Sequence, residues 1–200
     1  MKPLPTVKST MRVHARLACS EVNGPGRRAV IWVQGCSLGC KGCFNPETHS
    51  TTDVSDLVLV TELSEWVTKC GVDGLTISGG EPLQQLLPVL RLGEAVRASG
   101  QTVVIFTGYQ KQYVEKIVSW ESLAKSCDVL ITGPYISKLR LAEGLRGSSN
   151  KEYVFLSDRY SAKSFDTLND AEVTIDREGH IHVTGMKVPT FGHDKADKSL

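Results

Sequence analysis

Three cysteines crowd into eight residues, Cys36-Ser-Leu-Gly-Cys40-Lys-Gly-Cys43, in a C-x3-C-x2-C spacing, while Cys19, Cys70 and Cys127 are scattered singly. A disulfide framework would spread pairs along a small secreted chain. Gly35, Gly39 and Gly42 punctuate the triplet, and glycine lets backbone wrap tightly around a compact object. Three thiolates brought to one place repel one another unless a cation or a cluster holds them, so the loop reads as a metal site. Structural zinc is closed by four ligands, commonly in separated pairs. Here one triplet stands alone, although His49 could complete a Cys3His zinc site. A 4Fe–4S cluster takes thiolates at its iron corners, four for a complete set. Three thiolates suit three corners and leave the fourth iron open, and an open metal position is a substrate position. Cys70 and Cys127 read as small core residues.

A second group is Ser78-Gly79-Gly80-Glu81-Pro82. Two glycines at a strand end let a ligand lie against bare backbone. Glu81 can accept hydrogen bonds from an ammonium group, and Pro82 stiffens the exit. Taken alone, the stretch is equally an ordinary βα turn.

These loops need elements to hold them. Residues 29–34 form a short apolar run that reads as a buried strand delivering the cysteine loop. Residues 56–70 place Leu57, Val60, Leu63, Val67 and Cys70 at helical spacing, with Ser55 as N-cap. A strand over 73–78 carries the glycine pair. Pro88 suits the first turn of the next helix and Gly100 its C-terminal end. Residues 102–106 are a β-branched strand ending in Thr107-Gly108-Tyr109. A helix near 110–120 and a strand from Asp128 follow. Alternating strands and helices predict an α/β fold with a parallel sheet whose functional loops gather at the C-terminal strand ends. Beyond Gly133 the pattern changes: 152–156 reads as a strand, and 171–176 with 180–184 flank a hairpin turn.

Composition narrows the function further. Lys plus Arg is 23 against 22 for Asp plus Glu, a net charge of +1 in 200 residues. That balance offers no bulk attraction to nucleic acid or anionic membrane. No apolar run nears the ~20 residues of a membrane helix. The amino terminus lacks a secretory apolar region, so the expected compartment is the cytoplasm.

The cysteine spacing after a short apolar run resembles the signature of the radical S-adenosylmethionine (SAM) superfamily, and the Gly79-Gly80-Glu81-Pro82 stretch is similar to that family's second motif. Asn23-Gly24-Pro25-Gly26-Arg27-Arg28, just before the cluster strand, resembles a segment of glycyl radical activating enzymes. Thr107–Tyr109, Asp128–Tyr135 and Arg146–Asn150 extend the likeness over about residues 18–156, most closely to activators of anaerobic ribonucleotide reductase. The resemblance implies a partial (β/α) TIM-like barrel with a short C-terminal β-hairpin extension. Its reach sets a core over 1–156 and leaves a hairpin-bearing extension over 157–192, while the polar residues 193–200 read as a frayed tail. The resemblance implies a 4Fe–4S cluster on Cys36, Cys40 and Cys43. It places SAM against Ser78, Gly79, Gly80, Glu81 and Pro82, with Phe44, Asn45, Thr107, Tyr109 and Arg28 as further contacts. The implied reaction cleaves SAM reductively and makes a glycyl radical on a partner, with flavodoxin or ferredoxin as electron donor. A radical SAM enzyme acting on another peptide or a small molecule is the alternative reading. A zinc-stabilised binding module without catalysis is the second.

Overall fold

The computed structural model of the chain describes residues 9–52, 56–141, 143–175, 179 and 181–187. Seven strands form one sheet: β1 (Thr10–Ser20), β2 (Arg28–Val33), β3 (Leu57–Leu59), β4 (Gly74–Gly79), β5 (Thr102–Phe106), β6 (Val129–Thr132) and β7 (Glu152–Phe155). Their spatial order is β3-β1-β2-β4-β5-β6-β7. The central β2, β4, β5 and β6 run parallel, with antiparallel β1 and β7 closing the flanks. Among the described residues β3 and β7 do not pair, so the sheet is open rather than a closed barrel.

The helices are α1 (Val60–Lys69), α2 (Leu86–Ala98), α3 (Lys111–Ile117), α4 (Trp120–Ser126) and the short α5 (Lys163–Asp166). α1, α2 and α4 cover one face of the sheet. There Leu63, Val67, Val89, Leu92, Val96 and Leu123 pack on Ile31, Leu75, Ile77, Val103, Ile105 and Leu130. Burying each such aliphatic side chain contributes about 1.5–3 kcal/mol. The opposite face carries the alternate strand residues. Val104, Val129 and Ile131 pack there against Leu145 and the fully buried Phe165 of α5. A hairpin of β8 (Ala171–Ile175) and β9 (Ile181–Gly185) follows, as the turn signal predicts. Most of its turn and the tail over 193–200 lie outside the described residues.

Three elements differ from the sequence expectation. Leu57–Leu59 is a strand paired with Thr10–Arg12, and the helix starts only at Val60. Pairing with Thr10–Arg12, a tertiary contact, overrode the helical spacing of Leu57–Leu59; the proposed cap Ser55 lies outside the described residues. The helix near 110–120 is two helices, because Ser119 caps α4 by accepting a hydrogen bond from Ser122 N–H at 3.2 Å. The third is β1, of which the sequence pattern gives no sign. Its register against β2 shifts between Val13 and Ala15 and again between Leu17 and Ser20. Such bulges put its inward residues out of phase and erase the period-two signal.

Arg28 opens β2 on the uncrowded face and is completely buried. Its guanidinium donates to Thr76 Oγ1 at 3.3 Å, Thr102 Oγ1 at 2.6 Å, Tyr160 Oη at 3.1 Å and the Leu75 carbonyl at 2.5 Å. Burial lowers its pKa, while Tyr160 works in the opposite direction. A buried charge satisfied this fully is a structural fixture, and it ties the C-terminal segment to the base of the sheet.

Candidate functional site

The C-terminal ends of β2, β4 and β5 meet over a cleft that opens to solvent. The cysteine loop leaves β2 at Gln34. Gly35 N–H donates to the Thr48 carbonyl at 2.8 Å and Cys36 N–H to the His49 carbonyl at 3.2 Å, which folds residues 36–47 into a closed loop. Gly39 and Gly42 adopt φ of +61° and +74°, a region that side chains with a Cβ avoid. Gln34, almost fully buried, holds the loop's base. Its amide donates to the Ser50 carbonyl at 2.8 Å, and its Oε1 lies 2.8 Å from His14 Nδ1.

The glycine pair at the end of β4 also answers to a contact that its sequence does not show. A Cβ on Gly79 would lie 2.5 Å from Val33 N, and one on Gly80 would lie 2.4 Å from the Gly35 carbonyl oxygen. The glycines therefore let the two loops touch. Gly80 N–H reaches the Val33 carbonyl and Glu81 N–H the Gly35 carbonyl, both at 2.9 Å.

Glu81 likewise spends its carboxylate on the protein. Oε1 accepts from Leu83 N–H at 2.9 Å and from the Thr107 hydroxyl at 2.8 Å, and Oε2 accepts from Gly108 N–H at 2.7 Å. Burial raises its pKa, and these three donors pull it back down. Glu81 thus staples the β4 loop to the β5 loop.

Cys36, Cys40 and Cys43 all line the cleft, half-buried and unbridged. Burial pushes the Cys36 thiol up; Glu81, Cys40 and Cys43 add to that. Lys151 lies largely buried beside them, with Nζ donating to the Gly133 carbonyl at 2.5 Å. Burial lowers its pKa, and Glu81, Cys40 and Cys43 oppose that shift. Among the described residues no three His, Cys, Asp or Glu side chains converge on one metal-ion position. Around one zinc at about 2.3 Å the sulfurs would sit roughly 4 Å apart. A multinuclear cluster takes each thiolate at a different iron. Three soft donors sharing one cleft beside a buried cation fit a group of that kind. His49 also lines the cleft, and among the described residues its buried Nε2 has no hydrogen-bond partner.

Ser78, Gly79, Gly80, Glu81, Phe44, Asn45 and Thr107 line the same cleft. Pro82 does not; it is buried at the start of a 3-10 turn over Pro82–Gln85. Tyr109 also lies outside the lining, its hydroxyl accepting from Gln84 Nε2 at 3.1 Å and its ring against Tyr113. Arg28 sits at the opposite end of β2, away from the cysteine loop. Its motif neighbour Asn23 does reach the cleft, with Nδ2 donating to Thr184 Oγ1 at 3.0 Å.

Sequence reasoning missed Trp32, Tyr135, Lys151 and Met186 in the lining. Trp32 was within reach of it, since its place in β2 puts it opposite Ser78 of β4. Tyr135 meets Phe44 with the rings tilted and their centroids 4.7 Å apart. Lys151 and Met186 belong to segments without a motif, and only tertiary structure brings them in.

A family model described as "4Fe-4S single cluster domain" matches residues 22–154. The chain is 32% identical over 139 residues to the anaerobic ribonucleoside-triphosphate reductase-activating protein of Enterobacteria phage T4, covering 66% of this chain and 86% of that protein. It is 31% identical over 153 residues to the protein of the same name from Vibrio cholerae, covering 70% and 96%. A putative glycyl-radical enzyme activating enzyme from Haemophilus influenzae is 38% identical over 93 residues, 45% of this chain and 36% of that one. Among solved structures, QueE from Escherichia coli aligns at 20% identity over 50% of this chain and 52% of that one, with a TM-score of 0.41, too distant to bear on the site. The extent of the family match, with two relatives covered almost end to end, establishes that the chain belongs to the 4Fe-4S single cluster domain family, among relatives of the anaerobic reductase-activating proteins.

Proposed function

We propose that the protein is a radical SAM activase that installs a glycyl radical on an anaerobic ribonucleotide reductase. The observation that carries the reading is one cleft shared by Cys36, Cys40 and Cys43 with Ser78–Glu81, at adjacent C-terminal strand ends. In this reading the three thiolates hold a 4Fe–4S cluster with one iron open, and the backbone of Ser78–Gly80 faces the methionine portion of SAM. Phe44, Asn45 and Thr107 stand around the remainder, and Pro82 and Tyr109 support the wall from behind. The Lys151 ammonium offsets negative charge gathered in a half-dry cleft. Held by these cysteines, a reduced 4Fe–4S cluster would supply the single electron for reductive cleavage of SAM, the chemistry that ends in a glycyl radical on the partner. The protein's task is binding, orientation and exclusion of water and stray hydrogen donors. A cleft this open suits a large partner that closes it. The open sheet is read as the partial barrel of the superfamily, residues 1–156 as its core, flavodoxin or ferredoxin as the donor and the cytoplasm as the compartment.

The test is anaerobic reconstitution followed by incubation with SAM, a one-electron reductant and the purified reductase. Expected are 5′-deoxyadenosine in proportion to a glycyl radical signal by electron paramagnetic resonance. Deoxyadenosine without that signal on the reductase would overturn the assignment of partner. A colourless protein binding one zinc per chain would overturn the chemistry.

A further inference from the structure

The cysteine cleft continues into a second groove. The two share Trp32, Phe44, Asn45, Thr184 and Gly185, and the groove runs between β1 and the C-terminal hairpin. One wall is β1 from His14 to Ala18, every residue in succession. β1 pairs with β3 only through Thr10–Arg12, so among the described residues His14–Ala18 has no strand on its outer side. The facing wall includes Ile181, Val183 and Thr184 of β9, which among the described residues pairs with β8 alone. On this hairpin Val173, Ile175 and Ile181 are 47%, 65% and 62% exposed. An isolated two-stranded hairpin with bare β-branched residues is marginal without a cover.

We propose that this groove is the docking track for an extended segment of the partner polypeptide, which adds as a strand to the free edge of β1 and delivers its glycine into the cysteine cleft. The inference rests on the activase reading above and says where the substrate segment lies. Unpaired strand edges are templates for an added strand. Five residues of β1 offer roughly 16 Å of edge at about 3.3 Å per residue, enough to fix the register of a short segment. Val13 pairs with Val33, which ends β2 next to the cleft, so His14 marks the cleft end of the track. A segment held there turns past Trp32 and Phe44, and a residue without a side chain enters the cleft with least obstruction. The apolar hairpin residues then gain the cover they lack.

The test uses the reconstituted holoprotein and a fluorescent nonapeptide centred on the target glycine of the anaerobic reductase. Ala18→Glu combined with Ile181→Glu puts charge on both walls without touching the cysteine cleft. Leu87→Glu, on the exposed side of α2, is the control. The double variant is expected to bind the peptide at least tenfold more weakly and to lower glycyl radical yield on the reductase to match. Its cluster absorbance and partner-free SAM cleavage should equal those of wild type, and the control should bind normally. Amide hydrogen exchange over residues 14–18 should slow when the peptide is added to wild type. Wild-type affinity in the double variant, or protection only at other segments, overturns the groove and leaves the activase standing. SAM cleavage by wild type that never marks the reductase overturns the activase reading and the groove with it.

Discussion

Gly80→Ala tests the loop contact that the glycine pair permits, because it places a Cβ between the β4 loop and the cysteine loop. The new Cβ would lie 2.4 Å from the Gly35 carbonyl oxygen and 2.9 Å from its carbon. Both are backbone atoms that cannot rotate away, so the loops must part by about 1 Å to reach ordinary contact. Overpacking of that kind costs about 1–3 kcal/mol. Losing the 2.9 Å hydrogen bond from Glu81 N–H to Gly35 adds about 1 kcal/mol. A total of about 2–4 kcal/mol lowers Tm by roughly 5–15 °C for a chain of 200 residues. The same displacement pulls the cysteine loop off its seat, so iron and sulfide per chain after anaerobic reconstitution should fall with Tm. The comparison is Gly100→Ala. That glycine has φ of +87° and nothing within 4 Å of the place a Cβ would take, so only backbone strain of about 1 kcal/mol applies. It should cost a few degrees and no cluster. If Gly80→Ala loads a full cluster and melts with wild type, these glycines do not exist for loop contact.

Cys40→Ser should remove 5′-deoxyadenosine formation and lower iron content, measured by product chromatography and iron assay; undiminished turnover would contradict the cluster assignment. Glu81→Gln keeps size but turns an amide donor toward one of the three groups Glu81 now accepts from, for a loss of about 1–3 kcal/mol. Because burial raises the native pKa of Glu81, the native state holds that proton more tightly than the unfolded chain does. Wild-type stability should therefore decline as pH rises from the ordinary carboxylate range through the raised native value, and calorimetry should find that part of the slope absent in Glu81→Gln. Tyr160→Phe removes a hydroxyl that accepts from Arg28 and lies 2.7 Å from Thr102 Oγ1. Chemical denaturation should register about 1–2 kcal/mol, with SAM cleavage unchanged.

The parallel core was legible because each of its strands is a short apolar run ending in glycine or a polar turn, as at Gly35, Gly79 and Thr107. The cysteine loop was legible because ligand spacing is local. β1 was not, since two bulges scramble its alternation. The protein partners of Glu81 were not legible, because Thr107 and Gly108 lie 26 and 27 residues on, and nothing local marks a carboxylate as already paired. Arg28 was grouped with the site through its motif, yet a strand runs from it to the cysteine loop, so neighbours in sequence became opposite ends in space. Lys151 and Met186 arrive from segments whose only signal is three-dimensional.

The link between Arg28 and Tyr160 spans 132 residues, and this fixes an order of events during synthesis. A nascent chain emerging from the ribosome exposes Arg28 early, while Tyr160, Phe165 and Met186 are still being made or threading the exit tunnel. Until they emerge, the guanidinium lacks its last acceptor, Val104 and Ile131 stay wet, and one wall of the cleft is missing. Assembly of the finished cavity therefore waits until the segment through Met186 has left the tunnel.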